Sequence, residues 1–500
     1  MKMVLEIQAI LLYNIFMLIP KPNKIEYLEG VDGYLIKTSD PTKAIAEERV
    51  DEALEEEAYT IKLLSDGAHL SYRDNLGRAR AMSTLEQILN SGVDCVQAMC
   101  IEDAPRIQMR KYMMDVGRYF FPVEEILKQI DYLALYKFNY LHLHLTEDQG
   151  WRVEIKKLPK LTEIGSLRYR TLMRLKKHKG FYTQEDLKRI VDHAHEKGIK
   201  VIPEIDMPGH FQSALASYPE LGCLGRRVKV AENFGIKFDV ACPAKPTTLK
   251  YVKIIIDELS EIFTDGYFHI GGDEVPSHRW ELCPDCKRRY EELGCKNYSE
   301  YQAHFMNEVA EYILSKGITP IMWNESNPTG LIDKRVVWEC WDIDYKSEAF
   351  IKEINAGRKI INSKTEPYYL DLPYGINSLK RVYDYEPAIF DDNLIGASTS
   401  LWTELIPNVR VARKKAFPRL LAVAERLWSE EKDYADFTKR LNHHEYTILK
   451  KFNVRPTPEY KRNPGGFIKI LSKLWWTRRM LYWAGLPNLI TNAKLERKYK

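Results

Sequence analysis

Two adjacent carboxylates, Asp273 and Glu274, close the stretch Tyr267-Phe-His-Ile-Gly-Gly-Asp-Glu274. Most Asp-Glu neighbours are solvated surface. Here the preceding residues are β-formers, Gly271 and Gly272 allow another group to approach the backbone, and Pro276 keeps a helix from starting cleanly. A strand that delivers two carboxylates in this way can serve glycoside hydrolysis. Ordinary glycosidases place an acid and a second carboxylate on opposite sides of the anomeric carbon, at least about 5 Å apart. Neighbours at one strand end work from the same side. One can protonate the leaving oxygen while the other steers a nucleophile carried by the substrate. A 2-acetamido carbonyl oxygen, within reach of C1, is the natural candidate. The alternative is that one member only binds a sugar hydroxyl and the true partner lies elsewhere, with Glu404 the best choice.

The elements that must position this pair alternate from Arg110 onward. Strand signals at Tyr112–Val116, Tyr140–Leu145, Lys200–Ile205, Tyr267–Ile270, Thr319–Trp323, Val336–Trp341, Lys359–Asn362 and Leu394–Trp402 are separated by helical patterns. Those helices run from Pro122 to about Phe138, Gln184 to Lys197, Thr247 to Phe263, Ser299 to Ser315 and Ser347 to Asn355, and a long one spans Val411 to Trp428. Thr183 reads as an N-cap, and Gly198, Gly317 and Gly357 read as stops. Eight strands with helices between them predict an α/β chain, a (β/α)8 TIM barrel over 109–455. A small α+β domain is expected over 17–108, with a hairpin at Tyr59–Leu64 and Ala68–Tyr72 and a helix over Arg78–Leu89. In such barrels the loops after the strands build the site. Arg118, Asp148, Asp206, His210, Asp273, Glu274, Trp323, Trp341, Asp371, Trp402 and Glu404 all fall there, which chance surface placement does not explain.

Composition narrows the classes. Five hundred residues suit a barrel plus an accessory domain. Residues 461–500 hold ten Lys/Arg and one acid, Glu496; that +9 against +4 for the whole chain leaves −5 for the rest, so nothing calls for a nucleic-acid partner. The tail over 456–500 alternates apolar and basic residues from Phe467 to Trp483. It is expected to pack on the barrel rather than lie on a membrane, and to be dispensable for small substrates. The apolar stretch Ile7–Ile19 is too short for a membrane span and lacks a small-residue cleavage site, which points to a cytoplasmic protein. Eight scattered cysteines make no dense disulfide framework. Cys283-Pro-Asp-Cys286, with Cys295 and His278 near, has zinc-like spacing, but a lone CxxC without an obvious fourth ligand leaves the expectation at no metal and no cofactor.

From about residue 20 to 455 the chain resembles glycoside hydrolase family 20, the β-N-acetylhexosaminidases. The motifs are Asp115-Val-Gly-Arg118, His142-Leu-His-Leu-Thr-Glu-Asp148, Pro203-Glu-Ile-Asp206-Met-Pro-Gly-His210, His269-Ile-Gly-Gly-Asp-Glu274, Tyr369-Leu-Asp371, Leu401-Trp-Thr-Glu404 and Ala422–Trp428. This family is a known exception to the two-carboxylate rule, so the neighbour argument agrees with the resemblance rather than standing apart from it. The resemblance implies that Glu274 is the general acid and later the base, and that Asp273 polarises the acetamido N–H. It implies that Tyr369 holds the acetamido carbonyl and that Trp323, Trp341 and Trp402 wall the pocket, with Trp338 the rival of Trp341. Arg118, Asp371 and Glu404 would bind hydroxyls of a terminal sugar. Asp148 would pair with Arg118, and Asp206 and His210 would support the acid end. The expected substrate is an oligosaccharide or glycoconjugate ending in N-acetylhexosamine. Two alternatives are a lacto-N-biosidase-like enzyme that releases a disaccharide, which intact Arg118 and Asp371 disfavour, and a non-catalytic carbohydrate-binding protein, which the presence of Glu274 disfavours.

Overall fold

The computed structural model of the chain describes residues 17–480, apart from 172–175, 327, 344–346 and 388–390. The N-terminal apolar stretch before Met17 and the tail beyond residue 480 therefore lie outside the described residues.

Eight parallel strands close into a barrel: Met109–Asp115, Tyr140–His144, Lys200–Glu204, Tyr267–His269, Thr319–Trp323, Val337–Cys340, Ile360–Asn362 and Leu394–Leu401. Closure joins the last strand to the first, from Gly396 against Met109 to Leu401 against Met114. These are the eight strands expected from the alternation, and the fold is a (β/α)8 TIM barrel. Local sequence explains the helices that cover it. The helix Gln184–Glu196 opens with a capping box, in which the Thr183 hydroxyl accepts from Asp186 N–H and the Asp186 carboxylate accepts from Thr183 N–H. Asn297 and Ser347 cap the helices Tyr298–Leu314 and Glu348–Asn355 more simply, each side-chain oxygen accepting one backbone N–H, from Glu300 and Phe350.

Period-two alternation along the strands stacks the interior in layers. The lowest layer is apolar: Met109, Tyr140, Ile202, Ile321, Val337 and Ile361. Two residues further along the strands stand Lys111, His142, Glu204, His269, Trp323 and Glu339, all buried. Such charges survive burial only when paired. Lys111 bonds Glu339 and donates to His142 Nδ1 at 2.9 Å. Glu204 takes His142 at 3.0 Å, His144 at 2.5 Å and His269 at 3.1 Å. Trp323 Nε1 donates to Glu204 Oε1 at 2.9 Å, which fixes the indole at the top of this layer.

Ahead of the barrel, Lys24–Tyr27, Met99–Asp103, Tyr59–Leu64, Gly67–Tyr72 and Ile45–Val50 form a five-stranded sheet in that order, with the helix Asn75–Leu89 packed on it. The hairpin and helix match expectation. The strands Ile45–Val50 and Met99–Asp103 were not expected. Ile45–Val50 carries three charged residues, Glu47, Glu48 and Arg49, at an exposed sheet edge, where no apolar alternation is required. The long helix expected over Val411–Trp428 is two helices, Val409–Ala416 and Arg419–Trp428. Pro418 has no N–H to continue the ladder, and the chain turns there.

The tail forms the helix Gly466–Met480. One face meets the barrel: Trp476 packs against the cluster containing Leu372 and Ile376, and Ser472 sits so close to Gly375 that a Cβ there would overlap it. Phe467, Ile468, Leu471, Leu474 and Trp475 remain exposed along this helix. Among the described residues, no helix is long and apolar enough to cross a membrane.

Candidate active site

The fourth barrel strand ends at His269, and the chain then turns through Gly271 and Gly272, both at positive φ. Gly271 is obligatory: a Cβ would overlap Asp206 Oδ1. That same oxygen accepts Gly272 N–H at 3.1 Å, so the ends of the third and fourth strands are locked together. Gln302 Nε2 holds Gly272 O at 2.8 Å from the outside. The turn delivers Asp273 to a buried position, 9% exposed, while the Glu274 side chain remains 36% exposed. Glu274 has φ +49, a left-handed conformation that costs a non-glycine residue energy, and its N–H bonds the Glu325 carboxylate.

His210 serves both acids. Its Nε2 lies 3.4 Å from Glu274 Oε2 and 3.7 Å from Asp273 Oδ2, and its Nδ1 lies 3.2 Å from Glu147. Burial favours the neutral ring, but the charge and hydrogen bond of Glu147 outweigh it and hold the His210 pKa well above the usual value. The resulting imidazolium acts in turn on Glu274: burial pushes its carboxyl up, and His210 brings it to below the ordinary range. Asp273 stays raised, first by burial and then by the neighbouring carboxylates. Asp206 is raised furthest, by burial and by Asp273. Asp206 Oδ2 and Asp273 Oδ1 are both buried without a donor among the described residues. Of the two, Asp206, with the pKa raised further, is the one suited to carry a proton toward Asp273.

Across the pocket, Arg118 makes ion pairs with Glu147 at 2.5 Å, Asp115 at 3.1 Å and Glu404 at 3.4 Å, and lies 5.1 Å from the Trp402 ring. The expected pairing of Arg118 with Asp148 is therefore corrected to Glu147. Successive residues point opposite ways, and it is Glu147 that faces inward. Asp148 instead accepts Gln212 N–H at 3.0 Å and stands 3.7 Å from His210, with burial lifting its pKa to about 6. Asp371 is lifted to about 7 by burial and by Glu404, which is itself raised by burial. Asp371 Oδ1 is buried without a partner among the described residues, while Glu404 keeps Arg118 at 3.4 Å.

Between the two acid groups stands an aromatic wall. Trp323 meets Trp402 at 5.7 Å, Trp402 meets Tyr369 at 6.0 Å, and Tyr369 stacks on Trp341 at 6.5 Å and 18°. Trp341 belongs to this wall. Trp338, its rival, is buried among the helices with the Arg358 guanidinium 4.8 Å from its ring. The indole N–H of Trp341 is buried without an acceptor among the described residues. All twelve expected residues thus converge on one end of the barrel. Three acids escaped the sequence reading: Glu147, Glu204 and Glu325. Glu147 and Glu204 stood inside quoted motifs next to residues that were chosen. Glu325 follows the fifth strand directly, and its burial beside Asp273 lifts it to about 7.

Comparison with known proteins decides the family. The model of the glycosyl hydrolase family 20 catalytic domain matches residues 108–431. The chain belongs to glycosyl hydrolase family 20. It is 32% identical over 462 residues to a β-hexosaminidase of Akkermansia muciniphila, covering 88% of this chain and 91% of that protein. It is 36% identical over 414 residues to a β-hexosaminidase of Porphyromonas gingivalis, covering 78% of this chain but 53% of the other, so it spans about half the length of that relative. Among solved structures, a crystal structure of a β-N-acetylhexosaminidase superposes with a TM-score of 0.82 at 31% identity, covering 90% of this chain and 98% of that one. An exo β-N-acetylglucosaminidase from Vibrio harveyi, in complex with N-acetylglucosamine, superposes with a TM-score of 0.78 at 28% identity, covering 89% and 79%.

Proposed function

We infer that this chain is an exo-acting β-N-acetylhexosaminidase that releases terminal non-reducing β-linked N-acetylhexosamine with retention, through an oxazolinium intermediate formed by the substrate's own acetamide. The observation that carries this reading is that Asp273 and Glu274 share one strand end and one histidine, while Glu404, the alternative second carboxylate, is bound to Arg118.

Glu274 gives its proton to the glycosidic oxygen as the C1–O bond breaks. A sugar filling the pocket removes water from the exposed part of Glu274, and that burial raises its pKa toward the value an acid needs. The acetamido carbonyl oxygen attacks C1, held by Tyr369, while the Asp273 carboxylate accepts the acetamido N–H and stabilises the positive charge that develops. Trp323, Trp341 and Trp402 exclude water around the acetamide. Glu274, now a base, takes a proton from water. The resulting hydroxide opens the ring at C1, and the free sugar leaves with its original anomeric configuration. Arg118, Asp371 and Glu404 bind hydroxyls of the terminal ring and close the pocket behind it.

The test is release of a chromophore from β-GlcNAc and β-GalNAc glycosides, with the unacetylated β-glucoside as control. Hydrolysis of either acetamido substrate and none of the glucoside is expected. Glu274→Gln should lose most activity on substrates with poor leaving groups and less where the leaving group needs no proton. Release from a disaccharide glycoside alone would overturn the exo-monosaccharide reading. A sugar trapped covalently on any carboxylate would overturn the substrate-assisted mechanism.

A further inference from the structure

The long excursions after the third and fourth barrel strands carry a second cluster, away from the pocket. Cys223 follows the turn Pro219–Leu221, Cys242 precedes the helix Pro246–Ser260, Cys283 caps the helix Pro284–Glu292, and Cys286 lies in that helix's first turn. The four Sγ atoms all lie within 4.8 Å of one another. Cys223 and Cys242 stand 3.7 and 3.4 Å from Cys286. A tetrahedral centre with Zn–S bonds of about 2.3 Å has S···S edges of about 3.8 Å, so the four sulfurs already sit near the corners of such a centre. None is joined in a disulfide.

We propose that Cys223, Cys242, Cys283 and Cys286 hold one structural Zn²⁺ ion that clamps the loop after the third strand to the loop after the fourth. The sequence offered no fourth ligand because a CxxC pair can be weighed there only against its nearest neighbours. Cys295 shares the surrounding apolar cluster without joining the thiol group, and the His278 ring packs on Phe238 at 5.3 Å. The second pair of ligands comes instead from the preceding excursion, where only folding brings it near.

Three features distinguish this cluster from four thiols that merely fill a core. Cys242 and Cys286 are fully buried and Cys283 nearly so, under Trp280 and Tyr301, a setting that excludes competing water. The Tyr301 hydroxyl is buried beside the Cys286 sulfur, placed to donate to a metal-bound thiolate there. The four sulfurs leave no open coordination position, so the ion is structural and takes no part in the sugar chemistry. Its effect reaches the site through short links. Ala241 N–H donates to Pro208 O at 2.9 Å, and Trp280 Nε1 donates to Ala241 O at 2.9 Å. Pro208 lies between Asp206 and His210, while Trp280 follows Asp273 and Glu274 on the other excursion.

The full chain, purified without added metal or a metal-affinity step, should contain one zinc per chain by mass spectrometry. Titrating the thiols with a mercurial should release that zinc to a colorimetric chelator. Exchange for Co²⁺ should give sulfur-to-cobalt charge-transfer absorption in the near ultraviolet and tetrahedral bands in the red. Cys242→Ser with Cys286→Ser should abolish both, while Cys295→Ser and His278→Ala should keep them. Zinc well below stoichiometry, stoichiometric iron, a disulfide between any of the four cysteines, or zinc retained in the Cys242→Ser/Cys286→Ser protein would each overturn the proposal. The wild-type analysis stands even if the double variant does not fold.

Discussion

Asp273 carries the most specific demand on chemistry, because a neutral amide oxygen attacks poorly until its N–H is polarised. Asp273→Asn keeps the size and removes the charge. It should lower kcat by roughly 100- to 1,000-fold, the scale of losing one electrostatic stabiliser, with little change in KM. A thiazoline mimic of the cyclised intermediate should inhibit the variant far less than the wild type, and equal inhibition would remove Asp273 from this role. The pH profile tests its neighbour. Asp273 must be ionised to accept the N–H, and its pKa is raised, so kcat/KM falls as pH drops through that raised value. Asp206, with the pKa raised further, is placed to donate a proton toward Asp273. Asp206→Ala removes the donor and should move the acid limb of kcat/KM upward by about one unit, while Asp206→Asn, which still donates, should leave it near wild type. A downward move would mean that Asp206 carries the charge instead. Residue types at strand ends were legible in the sequence because a barrel sends them to one face. Which of two adjacent acids faces inward was not, since Glu147 and Asp148 differ only in a pleat that the chain sets by its loop.

The strand-end turn and the contact between sheet and barrel show what elements contribute. Gly271→Ala meets both a positive φ and the Asp206 carboxylate. It should cost about 1–3 kcal/mol in stability by chemical denaturation, with a larger loss of activity because Asp206 is pushed off Gly272. At the foot of the barrel, Glu57 binds Arg80 at 2.8 Å and Arg110 at 2.5 Å, all three buried. Burial would raise the Glu57 pKa, yet the two guanidiniums bring it down to about 2 from 4.5. Its folded pKa is depressed, so its contribution of roughly 3 kcal/mol is present above the unfolded value and lost as pH falls from about 4.5 to 2. Glu57→Gln should flatten the acid end of the stability curve, as measured by urea unfolding at pH 3 to 7; an unchanged slope would show that the pair contributes nothing. The eight strands were legible from apolar runs bounded by turn residues. The edge strand Ile45–Val50 was not, because its side chains satisfy no buried face. The break between Ala416 and Arg419 was written in Pro418, and the apolar spacing across it only imitates one helix because the two helices pack on the same core.

At the scale of the whole molecule, the tail helix backs the pocket wall. Leu372 and Ile376 share a cluster with Trp323, Tyr369 and Trp402, and Trp476 of the tail helix covers that cluster from outside. Lys415 joins the two: its Nζ donates to Asp371 O at 2.6 Å and lies 6.0 Å from the Trp476 ring. The loop that presents Asp371 to the substrate is thus braced on one side by the helix Gly466–Met480. Composition alone gave no sign of this, since the alternation of basic and apolar residues describes a helix without saying which neighbour it meets. Removing residues 466–500 uncovers Leu372 and Ile376 and frees the loop. Ground-state binding of the terminal sugar should then weaken while the reacting groups, which hang on the third and fourth strands, keep their positions. KM on a small chromogenic substrate should rise about 3- to 10-fold, equivalent to roughly 0.7–1.4 kcal/mol, with kcat near wild type. Trp476→Ala in the full chain should reproduce much of that rise. Phe467→Ala with Leu474→Ala, on the exposed face, should leave both constants unchanged. Wild-type KM in the shortened chain would return the helix to a passenger, and a fall in kcat alone would place its effect on the catalytic strands rather than on the Asp371 loop.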